Sequence, residues 1–215
     1  MKHIKLFISL IIIFFCGNLY PQSFESVYSL YKQKDYFHFR NYADSVQKFD
    51  EPWQKPYIEA LSDCIFAEFR ISSKKISEIL NQYSSIIPDS LMKELYENKY
   101  YSHIFMFEYR DAGDACNMLV TKYKQYLNQD ESASFPDELI MLRALKDAPK
   151  QEIIKSGDVK IKIEKDIANL WRTPVTIKDT NLNFVFDTGA DFSVIVESLA
   201  ERLGIKYLGD EFKVG

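Results

Sequence analysis

The chain has 215 residues, of which 47% are hydrophobic and 27% are charged. At about 150 residues per domain, this length allows one large domain or two small ones, with enough chain to bury a core. Seven glycines and seven prolines exclude a collagen-like or low-complexity chain. The formal charge is −4 and no run of Lys or Arg exceeds two residues, so we expect no nucleic acid partner.

The N-terminus has the pattern of an export signal. Lys2 and Lys5 precede an uncharged, mostly apolar run over residues 6–17. A basic start, an apolar stretch of about 7 to 15 residues and a polar exit are typical of a signal peptide. A membrane anchor is the alternative, although it normally needs about 20 apolar residues. We therefore expect residues 1–22 to be a signal peptide that is cleaved near Pro21-Gln22. The protein is then exported, to the periplasm or the exterior, and we expect it to attach to a membrane only through an uncleaved signal.

The cysteines and histidines indicate no metal or cofactor. Cys16 lies in the signal region, where Phe15 replaces the small residue usual before a lipid-attachment cysteine. Cys64 and Cys116 remain after cleavage, and an exported pair can form a disulfide. Each also lies on an apolar helical face, where a buried free thiol is equally consistent with the pattern. No histidine pair has the helical spacing of metal ligands.

Residues 23–148 have the apolar spacing of helices. Asp35, Ser72 and Asp111 are candidate N-caps, and Pro136 is a candidate helix start. The candidate caps are 37 and then 39 residues apart, and each predicted helix follows another helical stretch. A recurring two-helix unit of this size resembles the tetratricopeptide type of helical-hairpin array, whose repeat is about 34 residues. Its signature residues are absent, so a plain helical bundle is the alternative.

The pattern changes from helical to extended after Pro149. Alternating apolar and charged residues, and short β-branched or aromatic runs bounded by turn residues, predict strands. The predicted elements are strands at 159–163, 174–177 and 182–186, a turn at 178–181, and a short helix at 196–203 that ends at Gly204. The sequence therefore predicts an α+β protein whose all-α region gives way to an all-β region near residue 150.

One motif in the β region carries chemistry. Asp187-Thr188-Gly189-Ala190 directly follows the most apolar predicted strand. A carboxylate that leaves a buried strand loses hydration, which requires a structural or functional explanation. The structural explanation is a turn, because Asp, Thr and Gly are common at strand ends.

The segment from Arg172 to Gly215 resembles the retropepsin-like aspartic proteases. The similarity lies in the strand at 174–177, a turn, an apolar strand that enters Asp187-Thr188-Gly189-Ala190, and Ser193-Val194-Ile195 beyond it. The resemblance implies an aspartic-type endopeptidase with a peptide or protein substrate. It also implies a homodimer through the protease domain, since each subunit supplies one of two aspartates that share a proton and activate a water.

The resemblance also assigns roles to residues. It makes Asp187 the catalytic acid and base, and Thr188, Gly189 and Ala190 the active-site loop. Ala190 and Asp191 are expected to help bind the substrate backbone, and Ser193 is expected to support the loop.

The family pattern continues into a Gly-rich flap and an apolar-apolar-Gly strand, and neither is visible before Gly215. We therefore expect residues 158–215 to be the N-terminal part of a protease domain, which makes the all-β region incomplete. On this interpretation the 215-residue chain alone does not cleave peptides, because its strands leave an open apolar face. The alternative function is a non-catalytic helical-repeat interaction module that carries a degenerate protease remnant.

Overall fold

The computed structural model describes residues 23–46, 49–190 and 193–208. These residues belong to two compact units, the first ending at Lys150 and the second beginning at Gln151. The signal peptide expected at residues 1–22 lies outside the described residues. Among the helices that are described, none has the length and apolar character needed to cross a membrane.

The α+β class is confirmed, with eight α-helices and one three-stranded antiparallel sheet in the described part of the chain. The first unit contains α1 (Phe24–Lys32), α2 (Tyr36–Ser45), α3 (Gln54–Ile65), α4 (Phe69–Tyr83), α5 (Asp89–Phe105), α6 (Tyr109–Thr121), a 3-10 turn (Lys124–Tyr126) and α7 (Gln129–Leu145). The second unit contains β1 (Glu164–Lys165), β2 (Trp171–Ile177), β3 (Thr180–Val185) and α8 (Glu197–Arg202).

Three helical hairpins, α1–α2, α3–α4 and α5–α6, share one type of turn. Each turn has one residue in the left-handed conformation: Lys34, Ala67 and Phe107, with φ of 60°, 62° and 58°. The N–H of that residue bonds to the carbonyl three residues back, and the next N–H bonds to the carbonyl five residues back. This pair of bonds is the Schellman helix ending. Each turn therefore ends one helix and immediately begins the next.

These turns correct two of the three predicted N-caps. Asp35 does occupy the N-cap position of α2, but its carboxylate contacts the His38 ring at 2.8 Å and makes no capping bond. The turns before α4 and α6 start those helices three to four residues earlier than predicted, so Ser72 and Asp111 lie inside them. The buried Ser72 hydroxyl instead donates to the Ala60 carbonyl of α3 at 2.8 Å.

The helix start predicted at Pro136 is also wrong, because Pro136 lies inside α7. A capping box begins this helix earlier. The Asn128 side chain accepts the Glu131 N–H at 2.9 Å, and the Glu131 carboxylate accepts the Asn128 N–H at 3.0 Å. Pro136 then removes one helical donor without ending the helix.

The first helices of the three hairpins pack in series, α1 against α3 and α3 against α5. Their core is rich in aromatic rings, including the fully buried Phe39, Tyr57 and Tyr123. Cys64 and Cys116 are both buried free thiols, so the structure contains no disulfide between them. Burial raises the pKa of Cys116 to about 12 and also raises the pKa of Cys64.

A buried carboxylate links these three helices. Glu94 of α5 accepts hydrogen bonds from the Tyr28 hydroxyl of α1 at 2.7 Å and the Tyr57 hydroxyl of α3 at 3.2 Å. It also pairs with Lys32 of α1 at 2.7 Å. Burial and the nearby Glu94 carboxylate raise the pKa of both tyrosines well above the ordinary value, so both hydroxyls remain donors.

Replacement of Glu94 by Ala should destabilise the helical unit by about 2–4 kcal/mol, because it removes the acceptor of the Tyr28 hydroxyl, the ionic partner of Lys32, and one of the two acceptors of the Tyr57 hydroxyl, which keeps the Leu91 carbonyl. Glu94→Gln should cost less, since an amide oxygen can still accept both bonds. Urea unfolding followed by circular dichroism measures both effects. The matched control is the exposed Glu78→Gln, and equal stability of all four proteins would contradict a linking role for Glu94.

A second series of hydrogen-bonded polar side chains crosses the end of the helical unit. The buried His103 ring contacts Ser73 Oγ at 3.0 Å through Nε2 and Glu108 at 2.8 Å through Nδ1. The other oxygen of Glu108 accepts a bond from Lys150 at 2.7 Å. Burial acts to raise the pKa of Glu108, but the bonds from Lys150 and His103 outweigh it and hold the pKa below its ordinary value.

Because its pKa is lower in the folded state, ionised Glu108 should stabilise the protein above the unfolded glutamate pKa. We expect Glu108→Gln to cost about 1 kcal/mol at pH 7, and the cost to vanish as the pH falls below about 4 and through the folded pKa. Urea unfolding of wild type and variant across this pH range measures the difference. A difference that stays constant down to acid pH would contradict the interpretation.

The second unit is built on a hairpin of β2 and β3, which confirms the strands predicted at 174–177 and 182–186. A two-residue turn, Lys178-Asp179, joins them, and Ile177 pairs with Thr180. The predicted short helix is confirmed as α8, and it ends at Gly204, whose φ of +61° favours glycine.

The strand predicted at 159–163 is wrong, since only Glu164–Lys165 pair with β2 on that side. The Phe186 N–H bonds to the Trp171 carbonyl at 2.8 Å, so Trp171 and alternate residues after it present their backbone groups to the β3 side. Pro174 therefore faces the β1 side, where it has no N–H to offer. A ladder that reaches it loses a bond, which explains why β1 is so short.

The second unit buries little of its apolar surface. Among its described residues only Ala200 and Leu203 are buried. The alternating residues Val159, Ile161 and Ile163 are 77%, 57% and 41% exposed. This unit therefore lacks a closed core within the described residues.

Candidate active site

The candidate catalytic carboxylate lies in a tight turn at the end of β3. Asp187 Oδ1 accepts the Gly189 N–H at 2.8 Å, and the Asp187 carbonyl accepts the Ala190 N–H at 3.4 Å. Such a bond from an aspartate side chain to the backbone two residues on is typical turn chemistry. A Cβ added at Gly189 would lie 3.4 Å from Asp187 Oδ1, so glycine keeps the space beside the carboxylate open.

The structure places three of the six predicted site residues around one cleft. Asp187, Ala190 and Ser193 line a cleft of about 820 Å³ between the hairpin and the segment that leads into α8. Thr188 and Gly189 are exposed within the turn, and Asp187 and Ser193 are exposed as well. Asp191 lies outside the described residues. A turn at Asp187 is what the structural explanation of the motif also predicts, so the active-site loop and the roles of its residues stay predictions.

The cleft is lined mainly by apolar side chains. Those on its walls are Val175, Ile177, Phe184, Val185, Phe186, Val194, Ile195, Val196 and Leu199. The charged residues on its lining are Asp187 and Arg172. A single carboxylate at the edge of an apolar recess can accept a proton or hold a water, but a shared proton requires a second carboxylate beside it.

Sequence reasoning missed Arg172 as a cleft residue. Its guanidinium is held by Asp166, with Nε 2.7 Å from Asp166 Oδ2. The other carboxylate oxygen of Asp166 accepts the Ala168 and Leu170 N–H groups. The hydrogen bonds from the Leu170 N–H and from Arg172, of which the Leu170 bond has the larger effect, lower the pKa of Asp166 below its ordinary value. The signal in the sequence is the turn-forming Asp166, which lies six residues before an arginine.

Lys178 fixes the hairpin to α8 on one side of the cleft. Its ammonium group donates to the Leu203 carbonyl and, at 3.2 Å, to the Gly204 carbonyl. These carbonyls lie at the C-terminal end of α8, where the helix dipole favours a cation. Lys178 itself has a φ of 51° in the hairpin turn. One side chain therefore joins the turn of the hairpin to the helix that borders the cleft.

One group of described residues has donor atoms close enough for a metal ion, and it lies in the helical unit. His103, Glu108 and Asp111 each offer an atom within 4.8 Å of the others. His103 and Glu108, however, already bond to one another, and Glu108 also bonds to Lys150. We assign no metal role to this group.

Comparisons with known proteins give one match. Residues 173–214 match the family model described as aspartyl protease. The matched segment includes β2 from Thr173 onward, β3, the Asp187 turn and α8, and it supports a protease-type hydrolase function at this coarse level. No curated protein and no solved structure matches the chain.

Replacement of Lys178 by Met should loosen α8 from the hairpin, because the carbonyls at its C-terminus lose their cationic partner. We expect the backbone amides of α8 to exchange faster by a factor of about five, which corresponds to about 1 kcal/mol. Hydrogen exchange with mass spectrometry measures this rate. Lys160→Met, at an exposed position, is the matched control, and equal exchange in both variants would contradict the anchoring role.

Proposed function

We propose that residues 158–215 are part of a retropepsin-like aspartic endopeptidase domain with Asp187 as its catalytic residue. The observation that carries the proposal is the exposed Asp187 carboxylate in its Asp187-Thr188-Gly189 turn, within the segment that matches the aspartyl protease model. In the proposed reaction, one aspartate takes a proton from the attacking water and the other protonates the peptide carbonyl. The substrate is a peptide or an unfolded protein segment.

The second aspartate is proposed to come from a second copy of the chain. Asp187-Thr188-Gly189 is the single Asp-Thr/Ser-Gly sequence of the chain. Two such turns that meet at a two-fold axis bring two carboxylates together, and like charges at short distance cannot both ionise. Gly189 supports this arrangement, because the absence of a side chain lets two backbones approach. Thr188 is proposed to hydrogen-bond to the partner loop, and Ser193 to support the loop.

The open apolar face of the β unit bears on how the enzyme works. With only Ala200 and Leu203 buried, the described strands leave the wall of the cleft exposed. We propose that further strands and a flap cover this face in the active enzyme. Exposed apolar surface of this extent otherwise favours association with another chain.

The remaining parts of the proposal concern the rest of the chain. We propose that residues 1–22 direct export to the periplasm or the exterior, and that residues 23–148 form a helical-repeat domain of the tetratricopeptide kind. The support for the repeat is the three hairpins with one turn geometry, in which α2, α4 and α6 begin 33 and then 40 residues apart. Stacked helical hairpins commonly present binding surfaces for other proteins.

A second candidate function is a non-catalytic helical-repeat interaction module with a degenerate protease remnant. The small buried core of the β unit favours it, because a catalytic site needs rigid positioning. The two functions differ in whether Asp187 is required for any activity.

Cleavage of an unfolded protein tests the proposal. Two forms should be assayed, the 215-residue chain and a form extended to the next stop codon, each with wild-type Asp187 or Asp187→Asn. We expect the extended form to cleave and Asp187→Asn to lower its rate at least about a thousandfold, since the variant loses acid–base catalysis. Asp179→Asn, at the exposed hairpin turn, is the matched control and should keep full activity.

Mixing of the extended wild type and Asp187→Asn tests the shared site. In an equal mixture of exchanging dimers, half of the wild-type subunits have an inactive partner, so activity per wild-type subunit should fall by half. Unchanged activity would contradict the dimer. Cleavage by the printed chain would contradict the need for further strands, and no Asp187-dependent cleavage by either form would favour the interaction module.

A further inference from the structure

A recess separate from the Asp187 cleft lies in the helical unit, between α6 and α7. Its volume is about 260 Å³. Gly113 of α6 and the buried Leu139 and Leu142 of α7 line it. A Cβ added at Gly113 would lie 3.6 Å from Leu142 Cβ, which is ordinary contact. The recess therefore exists partly because residue 113 has no side chain, and even a small one would fill part of it.

Three cations and one carboxylate line this recess. Arg110 comes from the start of α6, Arg143 and Lys146 come from the end of α7 and beyond it, and Asp114 is the carboxylate. Arg110 pairs with Asp147, an exposed residue next to Lys146. Arg143 bonds through one nitrogen to the Asn117 side chain at 3.4 Å, and a guanidinium has five N–H donors, so others remain for a ligand.

The charge of the recess is opposite to that of the unit that carries it. Residues 23–150 contain 16 Lys and Arg against 20 Asp and Glu, so the helical unit is acidic. A long polyanion such as RNA meets that overall charge and is disfavoured. A short segment with a few carboxylates meets mainly the local cations. The recess also has an apolar floor, which suits a side chain better than a phosphate.

We propose that this recess between α6 and α7 binds an acidic peptide segment of another protein. One apolar side chain of the peptide packs on Gly113 and on the accessible edge of Leu139, and neighbouring carboxylates pair with Arg143 and Lys146. Charge complementarity selects the partner, and the small apolar floor fixes the register of the peptide. The site contains none of the residues proposed for catalysis, so it stands or fails independently of the protease function.

Binding of a fluorescein-labelled peptide with alternating Leu and Asp or Glu tests the proposal by anisotropy, with the full chain. The matched probe has Asn and Gln in place of the acids. We expect the acidic peptide to bind and the amide peptide to bind at least about tenfold more weakly, with the difference reduced between about 50 mM and about 300 mM salt. Arg143→Glu with Lys146→Glu should weaken binding of the acidic peptide by a similar factor.

Three further variants distinguish binding in the recess from general electrostatic attraction and from an effect of unfolding. Lys55→Glu with Lys74→Glu reverses two charges elsewhere and should leave the binding unchanged. Gly113→Ala fills the floor and should weaken binding while the melting temperature stays equal or rises, since alanine favours a helix. Arg143→Gln with Lys146→Gln replaces the charge reversal if that variant does not fold.

The proposal is overturned by equal binding of the acidic and amide peptides. It is also overturned by full affinity in the folded Arg143 and Lys146 variants, or by tighter binding of single-stranded RNA than of the acidic peptide.

Discussion

The proposed catalysis depends on one constraint: the β hairpin presents Asp187 at its end with almost nothing packed against its apolar face. Ala200 and Leu203 are the buried residues of the described part of this unit, and Lys178 anchors the turn of the hairpin to α8. A carboxylate pair that shares a proton needs a second carboxylate and shelter from water. The second carboxylate and the shelter therefore have to come from surfaces that pack against this hairpin, so completion of the core and completion of the site are linked.

The helical unit has the opposite character, because the polar side chains that link its helices find partners within the unit itself. Glu94 joins α1, α3 and α5, while His103 and Glu108 connect α4, α5 and Lys150. Buried polar groups that are fully bonded specify a single arrangement of the elements that carry them. The hairpin turns add to this, since the same pair of backbone bonds ends one helix and starts the next three times. This unit has the structural independence that a binding domain needs.

The sequence predicted the elements that have a clear local pattern, and it missed features that depend on distant residues or on an unusual backbone conformation. The strand that enters Asp187 and the helix that ends at Gly204 follow from local patterns, and both are present. The strand at 159–163 has an equally good local pattern, yet it fails because Pro174 on the facing strand lacks an N–H. The helices predicted to start at Ser72 and Asp111 begin earlier, because Ala67 and Phe107 take the left-handed conformation and end the preceding helices. The residue types Ala and Phe give no signal for that conformation. The Glu94 contacts join residues far apart in sequence, so no periodicity reveals them.

If the active site forms only when two copies meet, catalysis and stability of the β unit are coupled. Anything that binds the folded hairpin but not its unfolded form stabilises it by mass action. Association through the Asp187 turns would then order the cleft and create the carboxylate pair in the same step. At low concentration the apolar face of the hairpin would stay uncovered and the chain would be inactive, because a lone Asp187 has no second carboxylate with which to share a proton. The exposed apolar face is then part of the mechanism, since it makes peptide cleavage depend on the concentration of the chain.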